Sequence, residues 1–170
     1  KISIPEGVEE IGDHAFSDCY SLIQVILPTT LKKIGKGAFN TSHTWYETTA
    51  NGRWRTKNGK YLSHTIDSKI KRVLLPPSIQ EIGDYAFAFS GQSYDHLSIP
   101  DSVTRIGDCA FCGMAEYKFD GTLILGESVE YIGRYAFAYN DLYGDLVIPN
   151  KVKIIGDEAF CNCDSLSEIT

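Results

Sequence analysis

Two cysteines separated by two residues form the most chemically suggestive pair in this chain. Cys109 and Cys112 make a C-x-x-C motif, a spacing found in redox-active dithiols and in zinc sites. The chain has five cysteines, an odd number, and no second pair stands at the spacing that would complete a four-ligand zinc site. The sequence therefore favours small, buried, apolar thiols over redox or metal chemistry.

Other residue types that could carry chemistry are scattered. The four histidines stand apart, and no nucleophile elbow, phosphate-binding loop or HExxH motif occurs. We therefore expect no catalytic residue, no metal, no cofactor and no enzymatic activity. The net charge of −6 and the pI of about 5.2 disfavour nucleic-acid binding, because an acidic surface repels phosphate. No apolar run approaches the ~20 residues that span a bilayer.

A six-residue motif, Ile-Gly-x-x-Ala-Phe, recurs along the whole chain and predicts its architecture. Its copies are IGDHAF at 11–16, IGKGAF at 34–39, IGDYAF at 82–87, IGDCAF at 106–111, IGRYAF at 132–137 and IGDEAF at 155–160. A period near 23 residues predicts a solenoid. The interval of 48 residues between Phe39 and Phe87 is interpreted as two units, one of which lacks the motif. We expect the six motif phenylalanines to line up as one internal column: Phe16, Phe39, Phe87, Phe111, Phe137 and Phe160.

Each unit also contains a short extended run that usually ends in proline. Apolar residues alternate in these runs, as in Leu97 and Ile99, and this alternation predicts a half-buried strand. Stacked units should pair these strands in parallel, about 4.8 Å apart. A turn and a second short extended segment follow, and the glycine of the motif permits a further turn. We then expect a short helical turn carrying Ala-Phe, its first amides capped by the aspartate after the glycine, which in four copies is Asp13, Asp84, Asp108 and Asp157.

The best copies of the unit, at 22–39 and 97–111, follow the pattern LxxVxIPxxVxxIGxxAFxxCxxL. This pattern resembles the BspA-type, or treponemal-type, leucine-rich repeat. The resemblance implies an α/β repeat solenoid: a right-handed superhelix with a parallel β-sheet on the concave face and short helical turns on the convex face. The spacing of the motif predicts one domain over residues 1–170, of about seven coils. Because the sequence opens without Met and ends on LSEIT, which indicates the start of another strand, we expect it to be part of a longer protein.

The same resemblance has functional implications. It implies a bacterial cell-surface or secreted protein, hence an extracellular location, in which the repeats serve adhesion and protein–protein contact without catalysis. The partner would be a host or bacterial surface protein. Two alternatives remain open: a structural spacer within a larger surface protein, and a carbohydrate-binding surface.

Residues 40–72 depart from the pattern and are predicted to form a degenerate coil containing a hairpin. Asn58-Gly59 is a strong signal for a two-residue hairpin turn. Both tryptophans and several basic residues lie in this segment. It offers candidate binding residues for a protein or a glycan, or else aromatic cover for a core that lacks one phenylalanine. These candidates are Trp45, Tyr46, Arg53 and Trp54.

The concave face is the main candidate site, because its side chains alternate with the buried ones along each strand. Several are aliphatic although they should face solvent, and a connected exposed apolar patch often marks a partner site. The competing explanation is that aliphatic residues simply favour strands. The candidates here are Gln24, Ile26, Arg72, Leu74, His96, Ser98, Thr122, Ile124, Asp145 and Val147.

Overall fold

The computed structural model describes residues 1–19, 21–22, 24–40, 46–48, 54–56, 74–88, 96–113 and 120–170, with the backbone alone at 46–48, 54–56 and 120. These ranges contain short strands and turns but no helix. The strands are β1 (Ile2–Ser3), β2 (Glu10–Ile11), β3 (Val25–Ile26), β4 (Lys33–Ile34), β5 (Tyr46–Thr48), β6 (Trp54–Thr56), β7 (Glu81–Ile82), β8 (His96–Ser98), β9 (Arg105–Ile106), β10 (Asp120–Ile124), β11 (Tyr131–Ile132), β12 (Asp141–Leu146), β13 (Ile154–Ile155) and β14 (Ser165–Ile169).

The chain winds into a solenoid whose turns, here called coils, carry two ladders of parallel strands. In the first ladder β1 pairs with β3, and β8, β10, β12 and β14 pair in that order. The second is a sheet with the order β2-β4-β7-β9-β11-β13. The predicted parallel pairing of successive coils is confirmed. We number the coils by their motif phenylalanines: coil 1 (Phe16), coil 2 (Phe39), coil 3 (Phe87), coil 4 (Phe111), coil 5 (Phe137) and coil 6 (Phe160).

The long interval between coils 2 and 3 does not hold a coil of its own in this stack. Strand β4 pairs directly with β7, Lys33 facing Glu81, and the Phe39 ring lies directly on the Phe87 ring. The prediction of two coils in this interval is therefore wrong, and with it the count of about seven: the extra residues are an insertion between adjacent coils. Within it β5 and β6 pair antiparallel. The predicted hairpin turn at Asn58-Gly59 lies outside the described residues.

The motif phenylalanines form a continuous column, as the repeat predicts. Neighbouring rings have centroids 5.3–5.4 Å apart and planes within 3–13° of parallel. This spacing follows the strand-to-strand distance of about 4.8 Å, so the rings stack with an offset. Phe39 and Phe137 are fully buried, and Phe16 and Phe160, in the end coils, are partly buried. Aliphatic residues from both ladders surround the column and complete one elongated core.

The segment that carries Ala-Phe is a pair of consecutive turns, not the predicted helical turn. In coil 4 the Ala110 amide donates to the Gly107 carbonyl at 3.3 Å, and the Cys112 amide donates to the Cys109 carbonyl at 3.2 Å. Cys109 has a φ of 54°, which a right-handed helix cannot accommodate. Its amide donates instead to the Arg134 carbonyl of the next coil, at 2.8 Å. The same left-handed position recurs in all six coils, at His14, Gly37, Tyr85, Cys109, Tyr135 and Glu158.

The aspartates that follow the motif glycine bind the next coil and do not cap their own. The Asp84 carboxylate accepts a hydrogen bond from the Asp108 amide, and the Asp108 carboxylate accepts one from the Arg134 amide, both at 2.9 Å. The predicted helix cap is therefore wrong, because there is no helix and each carboxylate bridges two coils. The Arg105 guanidinium also donates to Asp84, at 3.1 Å, which offsets the repulsion expected between Asp84 and Asp108.

Opposite charges at equivalent positions of neighbouring coils form surface ion pairs. Lys32 pairs with Glu9 at 2.8 Å, and Lys153 pairs with Glu130 at 2.7 Å. The hydrogen bond from Lys153 lowers the pKa of Glu130. Exposed pairs of this kind are strongly screened and contribute little to stability.

Close approach between coils explains why the motif requires glycine. A Cβ atom added to the motif glycine of coils 2–6 would lie only 2.4–2.7 Å from the nearest atom of the preceding coil. None of these glycines has a positive φ, so they serve packing rather than the turn predicted from the sequence. They are Gly35, Gly83, Gly107, Gly133 and Gly156.

This packing makes a matched pair of glycine substitutions informative. We expect Gly133→Ala to destabilise the protein by about 1–3 kcal/mol, because its Cβ would overlap the backbone of Gly107 and Asp108 at 2.4–2.5 Å. Gly12→Ala is the control: it holds the same motif position in coil 1, with no atom within 4 Å of an added Cβ. Urea unfolding of both variants measures the difference. Equal stability of the two variants would contradict the close-packing explanation.

Candidate functional site

The outward side of the first ladder exposes a row of aliphatic side chains. We call this surface the strand face; it comprises the outward residues of β1, β3, β8, β10, β12 and β14, together with Leu74, which holds the equivalent repeat position in coil 3. Exposure is 41% for Ile26, 68% for Leu74, 56% for Ile124 and 65% for Val147. Ser98 is exposed and lies beside Ile124 across the β8–β10 pair. The sequence prediction that these residues face solvent is confirmed.

A second row, mostly polar, runs beside the aliphatic one. It is formed by the residues two positions earlier in each repeat, since both positions point away from the core. Gln24, His96 and Asp145 are exposed, and Thr122 is partly buried. The pairing of Thr122 with His96 places their side chains next to each other on the strand face. The described part of this face thus combines an aliphatic row with a hydrogen-bonding row.

The sequence analysis missed two residues of the strand face. Tyr143 is 46% exposed because β12 starts at Asp141, earlier than predicted. Glu168 lies opposite Asp145 in the β12–β14 pair, next to a shift of register at Gly144, whose φ is 80°. The signal was present in "DLYGDL", where a glycine inside an alternating run indicates a bulge with strand on both sides.

Other predicted site residues cannot be placed on this face. Arg72, Trp45 and Arg53 lie outside the described residues. Tyr46 and Trp54 belong to the antiparallel pair β5–β6, where Tyr46 faces Thr56 and Trp54 faces Thr48. Their candidate role in binding stays a prediction.

The C-x-x-C motif lies in a small cluster away from the phenylalanine column. Cys109 and Cys112 are buried there with Tyr135, Ala88 and Ala138. A hydrogen bond between the two thiols and burial raise the pKa of Cys112 well above its usual value. A cysteine in this state is held as the neutral thiol, whereas catalytic cysteines have a lowered pKa.

The cysteine three residues after the motif phenylalanine has a different role. In coil 6 the Cys163 thiol is buried and donates to the Phe137 carbonyl at 3.2 Å, and burial raises its pKa to about 11. Asn140 holds the same position in coil 5 and donates to the Phe111 and Phe137 carbonyls, both at 2.8 Å. Cys19, predicted to be buried, is exposed.

Neither a metal site nor a membrane-spanning helix occurs in the described ranges. No group of three or more His, Cys, Asp and Glu side chains there is placed to hold a metal ion. Nor do these ranges contain a helix that is long and apolar enough to cross a membrane. His14 and His96 are exposed, whereas His43 and His64 lie outside the described residues.

Comparison with known proteins gives a consistent result. The family model described as a BspA type leucine rich repeat region matches this chain in six copies, over residues 1–118 and 87–170. The crystal structure of a leucine-rich repeat protein from Bacteroides ovatus is 27% identical, with a TM-score of 0.71 over 99% of this chain and 36% of that one. A leucine-rich repeat protein of T. pallidum is 22% identical, with a TM-score of 0.50 over 99% of this chain and 56% of that one. The chain thus spans about a third to a half of these relatives.

The exposure pattern predicts which side chains on one face can be changed without unfolding. We expect Leu74→Asp and Ile124→Asp to shift the free energy of unfolding by no more than about 0.5 kcal/mol, since both side chains are more than half exposed. Leu97→Asp, at a position only 4% exposed, should unfold the protein because it buries an unpaired charge. Thermal unfolding followed by circular dichroism checks all three. A native melting curve for Leu97→Asp would show that the orientation of the strands is misassigned.

Proposed function

Because this chain belongs to the BspA-type leucine-rich repeat family, we propose that it is a non-catalytic protein-interaction and adhesion module that binds its partner through the strand face. Leucine-rich repeats are generally protein-interaction modules. The observation that carries the proposal is the row of aliphatic side chains that remain exposed on this face.

The physical case rests on what these side chains gain on binding. Ile26, Leu74, Ile124 and Val147 are 41–68% exposed, and covering apolar surface yields roughly 25 cal/mol for each Å² removed from water. The coils that hold them are fixed by hydrogen bonds along the stack, so little conformational entropy is lost when a partner docks. The neighbouring row of Gln24, His96 and Asp145 supplies hydrogen bonds and charge, which set specificity more than affinity.

The proposal includes a location on the bacterial cell surface or in the secreted fraction. Its support is the family to which the chain belongs. The partner would be a protein of the host or of a bacterial surface. Within a longer protein these coils would form one rigid part of the binding surface.

A pair of charge substitutions tests the proposal. The wild-type chain and the double variant Leu74→Asp/Ile124→Asp are immobilised and exposed to extracellular proteins from host epithelial cells and from bacterial surfaces. We expect the wild type to retain specific proteins, and the double variant to lose at least about tenfold in affinity for them, since it removes apolar contacts and introduces two charges at the interface. Surface plasmon resonance with each retained protein measures the loss.

The matched control is Ile154→Asp, which makes the same chemical change at a residue that is 54% exposed on the second ladder. It should bind as the wild type does. Equal binding by wild type and double variant would refute the role of the strand face. If no protein is retained at all, the spacer alternative is favoured, because a spacer needs the rigid stack but no receptive face.

A further inference from the structure

The turn that carries the C-x-x-C motif brings two buried thiols together in coil 4. We infer that Cys109 and Cys112 are a structural dithiol that a low-molecular-weight disulfide, such as glutathione disulfide, oxidises to a disulfide bond across the turn. This modification site is independent of the strand face and of the proposed binding function.

The backbone supplies the geometry. The Cys112 amide donates to the Cys109 carbonyl at 3.2 Å, so the two residues are the first and fourth of a β-turn, whose Cα atoms lie within about 7 Å of each other. Disulfide-bonded cysteines have Cα atoms about 4.4–6.8 Å apart. Both side chains also point to the same side of the chain, since both are buried in the cluster with Tyr135, Ala88 and Ala138. The two sulfur atoms can therefore meet without moving the coil.

The same geometry excludes the other cysteines as partners. Cys112 and Cys161 hold the same repeat position but are separated by Ala138 of coil 5, hence by two coil spacings of about 9.6 Å in all, too far for a disulfide. Cys161 and Cys163 point to opposite sides of the chain: Cys161 packs on the Cys109 cluster and Cys163 lies in the core beside the phenylalanine column. Cys19 is exposed in coil 1, three coils away.

The chemistry is a balanced thiol–disulfide exchange. The thiolate of one cysteine attacks a sulfur of glutathione disulfide, which forms a mixed disulfide and releases one glutathione thiolate. The thiolate of the second cysteine then attacks the protein sulfur of that mixed disulfide, closes the Cys109–Cys112 bond and releases the second glutathione. The two protein thiols lose two protons and two electrons, and the S–S bond of the oxidant becomes two thiols.

Burial sets the rate of this reaction. Cys109 is 3% exposed and Cys112 is 1% exposed, and the pKa of Cys112 is raised by its hydrogen bond with Cys109 and by burial. Oxidation of the folded protein therefore requires local opening and should be slow. Oxidation during refolding meets no such barrier. A rate that increases with pH is expected in both cases, since the thiolate is the attacking species.

The experiment compares these two routes in the full chain. The protein is incubated with glutathione disulfide while native, and separately unfolded and refolded in a glutathione redox buffer. Remaining thiols are then alkylated and located by peptide mass spectrometry. We expect two of the five cysteines, Cys109 and Cys112, to escape alkylation and to be found in a peptide in which a disulfide bond links them. The oxidised protein should be a monomer with an unchanged circular dichroism spectrum. Oxidation should be faster during refolding than in the native protein.

The repeat itself supplies variants that should fold. Ala88 and Ala138 hold the position of Cys112 in coils 3 and 5, so Cys112→Ala is compatible with the stack. Gly37 holds the position of Cys109 in coil 2, so Cys109→Gly keeps the left-handed backbone without strain. Either variant should abolish the linked peptide. Cys161→Ala, the same change as Cys112→Ala two coils away, should leave it intact.

Three results would overturn the inference. The first is complete alkylation of both Cys109 and Cys112 after refolding to the native spectrum in the oxidising buffer. The second is a disulfide that joins either of them to Cys19, Cys161 or Cys163 in that native state. The third is a linked peptide that persists in Cys112→Ala, which would assign the bond to other residues.

Discussion

The spacing of the coils is the constraint from which the rest of the structure follows. Backbone hydrogen bonds join each coil to its neighbour at three levels: the two strand ladders and the Ala-Phe turns. Hydrogen bonds of 2.8–3.1 Å along the turns bring the chains so close at the motif glycine that no side chain fits. A solenoid held this tightly has one repeat distance throughout, and every side chain must conform to it.

Several features that look independent are consequences of this spacing. The phenylalanine rings lie 5.3–5.4 Å apart because the backbone sets their separation. The left-handed residue in each turn exists because its amide must face the next coil, as that of Cys109 faces Arg134; a helix would direct that amide along its own axis. The aspartate after the glycine is useful for the same reason, since its carboxylate reaches the corresponding amide one coil further on.

The period and the alternation predicted the parallel stack, the phenylalanine column and the outward residues of the strand face, because each depends on chemistry repeated in every unit. The prediction of a helical turn was wrong because it depends on which carbonyl accepts the hydrogen bond of a backbone amide. The sequence of the Ala-Phe segment does not reveal whether the amide of Cys109 bonds within its coil or to the next one, so a helix was predicted where there are two turns. The interval of 48 residues suggested two coils by arithmetic alone. The direct pairing of Lys33 with Glu81 and the stacking of Phe39 on Phe87 identify an insertion instead.

The same constraint separates the positions that hold the fold from those that are free for binding. Gly107, Ala110 and Phe111 touch neighbouring coils, so their identities are fixed by the stack. Leu74 and Ile124 are not constrained in this way by neighbouring coils. They are more than half exposed, and a serine, Ser98, holds the equivalent position in coil 4. That serine shows that the fold does not require an aliphatic residue there, so folding alone does not account for the exposed aliphatic side chains on which the proposed binding function rests. The phenylalanine column does not need the insertion between coils 2 and 3, since the Phe39 and Phe87 rings stack directly on each other.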